Sequence, residues 1–582
     1  MNLEARTESF TDQIIAGYMD EASREVLATL IRAAYSLNVK ERHDCSSSIL
    51  DATGGTAALT AHGGIHLGSM LGLVENVLKT FPTAQMHDGD IFLVNDPYGG
   101  GGSHLPDFTM AMPVIIDGEV LAFVANIAHQ SDIGGANAGS ISGNARDIFA
   151  EGLRLPAVRL RDGDRLNEDL LRVIYQNSRM PEERRGDINA QIGSLTVGLR
   201  RMRELAGKYG FAQVVSSMEA LSDYSERRIR SSLRDIPDGV YAASDWLDAD
   251  EQNPAPVPLR VTLTVEGDRC CFDFEGTGDQ LPSARNVPTT ALLATVYTVV
   301  KQMLDPRLPP NAGYYRAIEV RAPSGCLVNP LPPAAVADRA LTCNIVGDVI
   351  AGAISKAIPD RAMARSGPYL STTVSGSVGD GRFFVNFEAL AGSEGALAYR
   401  DGMDAVRVHA SGGLNQSVEA MELAYPVMIE EYGFLTDTGG AGKYRGGLAT
   451  RRDVRALGDG FRLSASTGRT SVAAAGLNGG GDGHTASVVV NPGGPDQRRP
   501  GQNFSGHTLS AGEVVSVITP SGGGYGDPFA RDPAAVLRDV LEEKVSAAQA
   551  LGLYGVVIVD GEVDLRATEI ARRDPNAERG LG

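Results

Sequence analysis

Two imidazoles and one carboxylate carry the chemistry this chain is expected to perform. His104, Asp107 and His129 lie in PYGGGGSHLPDFTMAMPVIIDGEVLAFVANIAHQSD, residues 97–132. Two histidines and a carboxylate are the usual protein side of a catalytic metal site, because three ligands leave positions open for water or substrate. A cation held this way lowers the pKa of bound water to about 7 and polarises a carbonyl or phosphoryl oxygen. Mixed nitrogen and oxygen ligation suits zinc, manganese or iron, and one Zn2+ or Mn2+ is expected. Asp96 and Asp132 are expected as outer partners or further ligands. His66, in HGGIHLGSM ahead of a predicted helix, is expected to point into the same cleft. His62 reads as a solvated turn residue and His43 as structural.

The element that must bring the three together is a hairpin. Two apolar runs flank Asp117-Gly118, the strongest short-range hairpin signal. With that turn, paired positions sum to 235, which sets Pro106 opposite His129 and Asp107 opposite Ala128. His104, Asp107, His129 and Asp132 then gather at the open end. In that register Asp107 and His129 point to opposite faces, so a bulge or irregular strand end has to correct the pairing. Pro113 cannot donate to a ladder and marks an edge or a bulge.

The chain has 582 residues, enough for two to four domains. Its 69 glycines cluster between apolar runs without a period, so they read as loop chemistry. A net charge of −19 argues against a nucleic-acid partner and an anionic membrane surface. No apolar run approaches the ~20 residues of a membrane span, and MNLEARTESF has no signal-peptide pattern. The five cysteines include no CxxC pair, which speaks against a disulfide frame or zinc knuckle. A cytoplasmic protein is expected.

Helices are predicted over 8–38, 67–81, 165–178, 182–232 with a break at Gly210, 288–304, 340–357 and 533–549. Strands are predicted over 90–95, 108–116 and 119–128, with hairpins at 46–60 and 257–276. After about 370 short strands alternate with Gly-rich turns. The class is α+β, a mixed multi-domain chain. An N-terminal mixed region with the metal site (1–235) precedes a middle α+β region (236–370) and a strand-rich C-terminal region (371–582) that ends in a helix. DATGGT (51–56) is like the phosphate loop of actin-like ATPases but carries one residue too many and sits on a predicted turn. The sequence has no GxxxxGK[ST] loop and no GxSxG elbow.

Several segments together resemble the hydantoinase B family, the subunit class of ATP-dependent hydantoinases and 5-oxoprolinases. They are ERHDCSSSILD, HGGIHLGSM, GDIFLVNDPYGGGGSHLPDFTMAMPV, AHQSDIGG, EGLRLPAVRL, YPVMIEEYGFLTDTGGAGKYRGGL and SGGGYGDPFARDP. The resemblance implies a hydantoinase A-type partner that binds ATP and Mg2+ and phosphorylates the substrate's carbonyl oxygen. It also implies a heterotetramer, and a cyclic amide (hydantoin, 5-oxoproline or lactam) opened on this subunit. In related acetone and acetophenone carboxylases a phosphorylated enol is carboxylated instead, at a His, Asp, His metal set that His104, Asp107 and His129 match. A third reading is a non-catalytic assembly subunit with a structural metal. Glycine-loop amides at Gly100 and Gly101 are expected to cradle departing phosphate, and Arg154 and Asn286 to contact substrate.

Overall fold

The computed structural model describes residues 3–573 except Ser142 and Asp380, with side-chain surroundings from Phe10 onward. The first region is built on seven antiparallel strands. They are β1 (Cys45–Asp51), β2 (Thr56–Ala61), β3 (Ile91–Val94), β4 (Asp107–Ile116), β5 (Glu119–His129), β6 (Val158–Asp162) and β7 (Arg165–Leu166), in the order β2-β1-β5-β4-β3-β6-β7. One face packs against the helices Leu3–Ala33, Pro181–Tyr209 and Phe211–Arg234 through Met110, Met112, Val114 and Val124. The other packs against Leu73–Thr80 through Phe92, Ala111, Phe123 and Ala125. With both faces covered, β4 and β5 read as nearly unbroken apolar runs.

The hairpin turns at Asp117-Gly118, both with positive φ (50° and 88°). Near the turn, Ile116 faces Glu119 and Ile115 faces Val120, the predicted register. A bulge then absorbs Leu121, so Val114 faces Ala122 and Asp107 faces His129. One extra residue in β5 therefore carries Asp107 and His129 onto a single face. Pro113 sits beside the bulge, past the last β3 pair at Ala111.

The middle of the chain forms β8 (Gly239–Leu247), β9 (Val257–Glu266), β10 (Arg269–Asp273) and β11 (Ile318–Arg321), ordered β11-β10-β9-β8. The helices Thr289–Leu304 and Arg339–Ala357 share a core with this sheet. Arg339–Ala357 is the one described helix long and apolar enough to cross a membrane, and 83% of its apolar window is buried in that core. Two four-stranded sheets follow, from β12 (Leu370–Ser377) to β19 (Val514–Ile518), and share one core of Leu370, Val374, Leu463, Val488 and Val515.

Three predicted helices break. The first stops at Ala33, and Leu37–Lys40 follows as a separate turn capped by Ser36. Residues 67–81 split at Gly72 (φ 73°) into His66–Met70 and Leu73–Thr80. The last splits into Pro533–Leu541 and Ala547–Tyr554, because Glu543 takes a positive φ of 58° and Ser546 caps a new start. A further helix, Leu565–Arg573, lies beyond it.

Candidate metal centre

His104, Asp107 and His129 each offer a ligand atom within 4.8 Å of the others, and all three are buried. The site's face of the sheet is the one toward His66–Met70, so His66 reaches the same cavity. That cavity has a volume of about 60 Å3, enough for a few waters. All three regions wall it: Asp44 and His66 from the first, Asp338, Arg339 and Tyr369 from the middle, Phe387 and Arg407 from the third.

The protonation pattern of His104 and Asp107 suits a shared proton or a cation. His104 Nδ1 lies 2.9 Å from the Ala337 carbonyl oxygen, which can only accept, so Nδ1 carries a proton. Burial, reinforced by Arg339, pulls the His104 pKa down, so the ring is neutral and Nε2 presents a lone pair. Nε2 faces Asp107 Oδ1 at 3.1 Å. Burial raises the Asp107 carboxyl, but a positive charge shared with His104, together with the Arg339 guanidinium, outweighs it and holds it well below the usual range. Two acceptors at that distance need a shared proton or a metal ion between them. Arg339 does not block the position: it donates to the other oxygen, Oδ2, at 2.9 Å, and to Ser103.

His129 is neutral too, with burial foremost among the causes that push its pKa down to about 3. Its ring stacks on Phe387 with centroids 5.5 Å apart. The Asn38 amide nitrogen lies 2.9 Å from both His129 Nδ1 and the His129 carbonyl oxygen, while Arg42 donates to the Asn38 oxygen. Asn38 thus donates to Nδ1, and the neutral ring keeps its proton on Nε2. A cation at Nε2 needs Nδ1 protonated instead, with the Asn38 oxygen turned to receive it. His104 and Asp107 could hold a metal as they stand; His129 joins them only where Asn38 gives up its bonds to Nδ1, to the His129 carbonyl and from Arg42.

His66 lines the cavity with both ring nitrogens engaged, Nδ1 2.8 Å from Ser46 Oγ and Nε2 3.3 Å from Asp44 Oδ1. The other expected participants lie outside the cavity wall. The Asp132 carboxylate accepts from the amides of Gly134, Gly139 and Arg179 and pairs with the Arg179 guanidinium at 2.9 Å, so it anchors a loop. Asp96 and Arg154 pair with each other at 2.9 Å. Asn286 spends its amide on Leu281, Ser283 and Ala335. Gly100 and Gly101 pack on Gly72, Leu73 and Val94, where a Cβ would meet atoms at 2.9–3.1 Å, so close helix packing explains these glycines. His62 is exposed, with its ring 4.9 Å from that of His43. The five cysteines are free, and burial raises Cys45 and Cys343, away from thiolate character.

Sequence reasoning did not single out Asn38, Arg42, Asp44, Asp338, Arg339 or Arg407. Arg42 and Asp44 sit inside ERHDC on either side of His43. Nothing in local spacing marks Asp338, Arg339 or Arg407, which lie more than 200 residues from the hairpin. Asp338 is a buried carboxyl that burial pushes up to about 7 despite a hydrogen bond from Ser466.

The architecture is that of a multi-domain α+β chain with a buried histidine–carboxylate group on a bulged hairpin. The chain belongs to the Hydantoinase B/oxoprolinase family, whose pattern it matches over residues 8–528. It is 30% identical to the beta subunit of the caprolactamase of Pseudomonas jessenii, over 97% of this chain and 99% of that one. It is also 30% identical to the corresponding subunit of a putative D-/L-hydantoinase from a Pseudomonas species, covering 98% of both. The crystal structure of the ATP-dependent caprolactamase superposes with a TM-score of 0.87 at 29% identity, covering 97% of this chain and 99% of that chain. Nucleotide-free acetone carboxylase shares the fold, with a TM-score of 0.90 at 20% identity, over 99% of this chain and 84% of that one.

Proposed function

We propose that this chain is the metal-bearing subunit of an ATP-dependent cyclic amide hydrolase. It works beside a hydantoinase A-type partner that binds ATP and Mg2+ and phosphorylates the ring carbonyl oxygen, in a cytoplasmic heterotetramer. The observation that carries the reading is the neutral His104 Nε2 facing Asp107 Oδ1 at 3.1 Å, opposite His129, in a chain that aligns end to end with subunits of a hydantoinase and a caprolactamase.

An amide is a poor electrophile because resonance stabilises it, and O-phosphorylation removes that resonance. His104, Asp107 and His129 would hold a divalent cation, Zn2+ or Mn2+, which supplies Lewis acidity and a lower pKa for water. The chain's own groups do the rest. Arg339 keeps Asp107 ionised and oriented through Oδ2. Ala337 fixes the His104 tautomer. Asp338, in the same cavity and protonated to about pH 7, is the donor for the departing ring nitrogen. The walls exclude bulk water.

The test is reconstitution with the partner and ATP on a panel of hydantoin, 5-oxoproline and caprolactam, with metal analysis alongside. Ring-opened product with about one metal per chain supports the reading. The shared fold with acetone carboxylase favours one alternative, carboxylation; label from bicarbonate fixed into an acid would replace hydrolysis. ATP turnover by this chain alone would contradict the division of labour.

A further inference from the structure

A cleft of about 920 Å3 lies beside the metal cavity, bordered by the C-terminal half of Thr289–Leu304 and by residues 394–409. Among the described residues Arg407 alone lines both spaces. Its electrostatic position is unusual for the cavity. Arg42 has Asp44 at 3.7 Å and Arg339 has Asp107 at 2.9 Å, whereas Arg407 has no described carboxylate within ion-pair distance. Its Nη1 donates to the Gly412 carbonyl at 2.7 Å, and Nη2 donates to the carbonyls of Ala389 and Leu414. Its Nε–H is buried without a partner.

Carbonyl oxygens solvate a guanidinium but do not cancel its charge. Burial, with Arg42 adding repulsion, pulls the Arg407 pKa down to about 10, and the more distant Asp44 and Glu388 carboxylates offset this only in part, as for a partly compensated cation. The cleft offers little to neutralise it. Glu394 is taken by Arg400 at 2.7 Å, Asp305 by Arg228, and Asp360 is exposed. Arg361, on the cleft wall, donates to the carbonyls of Met303 and Leu304, again without a described acid partner. A chain of net charge −19 thus keeps a guanidinium with no described carboxylate at ion-pair distance where this large cleft meets its metal cavity.

We propose that Arg407 is an anion receptor at this junction and takes the phosphoryl group of the activated substrate beside the metal cavity. The assignment of the anion rests on the proposed hydrolase reading. Nε–H and the second Nη1–H are the donors left to meet phosphate oxygens, and the cation's charge strengthens each bond. A carboxylate on the substrate has related chemistry, so the test separates the two.

Inorganic phosphate and acetate are titrated calorimetrically into the metal-free full-length chain, so that no cation competes as receptor. Wild type should bind phosphate, and acetate at least about tenfold more weakly. Arg407→Gln should weaken phosphate by about 10- to 100-fold, and Arg407→Lys, which keeps charge but loses the Nε–H donor, by about tenfold. Arg200→Gln, whose parent side chain is 65% exposed on a distant helix, should bind like wild type. Unchanged phosphate affinity in either folded Arg407 variant, or no binding by wild type, overturns the proposal. Acetate binding as tightly as phosphate overturns the phosphoryl assignment. Should both variants fail to fold, a wild-type crystal soaked in phosphate decides: density on Arg407 is expected, and its absence overturns the idea. Because binding is read on the chain alone, its failure is distinct from failure of the reconstituted complex to open a cyclic amide.

Discussion

The His104–Asp107–His129 group and the His87–Asp90–Asp162 group both bring their ligand atoms within 4.8 Å of one another. They differ in where the neighbouring arginine sits. In the first, Arg339 binds Asp107 Oδ2 and leaves Oδ1 to His104. In the second, Arg159 lies 3.1 Å from Asp162 Oδ1, the same oxygen that faces His87 at 3.5 Å, and 3.6 Å from Asp90 Oδ2. A guanidinium already occupies the place a metal ion would take. His87 and Asp162 are also 67% and 61% exposed, so water solvates their lone pairs, while the first group lies away from solvent. Proximity of histidine and carboxylate is common; unsatisfied acceptors turned inward on one another are what distinguish a metal centre.

The comparison can be broken most directly at His104. His104→Ala should reduce metal content from about one ion per chain to near zero and weaken affinity by at least about 100-fold, measured by elemental analysis after dialysis. Retained metal would remove the contrast between the two groups.

A smaller effect concerns the loop that holds His104. Glu151 Oε1 accepts from the amides of Val336 and Ala337 at 2.7 Å each, and Ala337 in turn holds His104. Burial raises the Glu151 pKa from 4.5 to about 8, and the two amide bonds offset this only in part. Between those values the folded chain binds more protons than the unfolded chain. The contribution is therefore fully present below about pH 4.5 and lost as pH rises through about 8, a change on the order of 5 kcal/mol. Glu151→Gln keeps an acceptor and has no charge to bury, so its melting temperature should vary less over that range. An unaltered slope would mean another group titrates there.

Asp132→Asn weakens the Arg179 pair and should cost about 1–3 kcal/mol of stability while metal content stays at wild-type level. Loss of metal would return Asp132 to the site. The smallest effect is expected at the exposed group: His87→Ala should leave metal content unchanged and shift unfolding free energy by no more than about 0.5 kcal/mol.

The hairpin and its three chemical residues were legible because Asp117-Gly118 has a local conformational requirement and the flanking runs are apolar. The face shared by Asp107 and His129 was legible as a requirement for a bulge, with Pro113 beside it, but no local signal names Leu121 as the residue it absorbs. Spacing placed Asp132 with the ligands, yet a few residues past the strand the chain has already turned toward Arg179. Asp96, Gly100 and Gly101 look like a flexible binding loop in sequence, but the packed helix that explains the glycines is a tertiary fact. Asp338, Arg339 and Arg407 arrive from regions whose docking no periodicity records. Residues 533–549 looked like one helix because composition is helical throughout, and the break rests on one positive φ and one serine cap.

The ring of His104 is oriented by Ala337 and that of His129 stacks on Phe387, although all three ligands belong to the first quarter of the chain. During synthesis the ligands therefore emerge more than 200 residues before the groups that aim them. On the proposed reading the centre would form in two stages, and a truncated chain ending near residue 240 would carry the donors without the aim. Ion retention would then report on completed assembly of the whole chain.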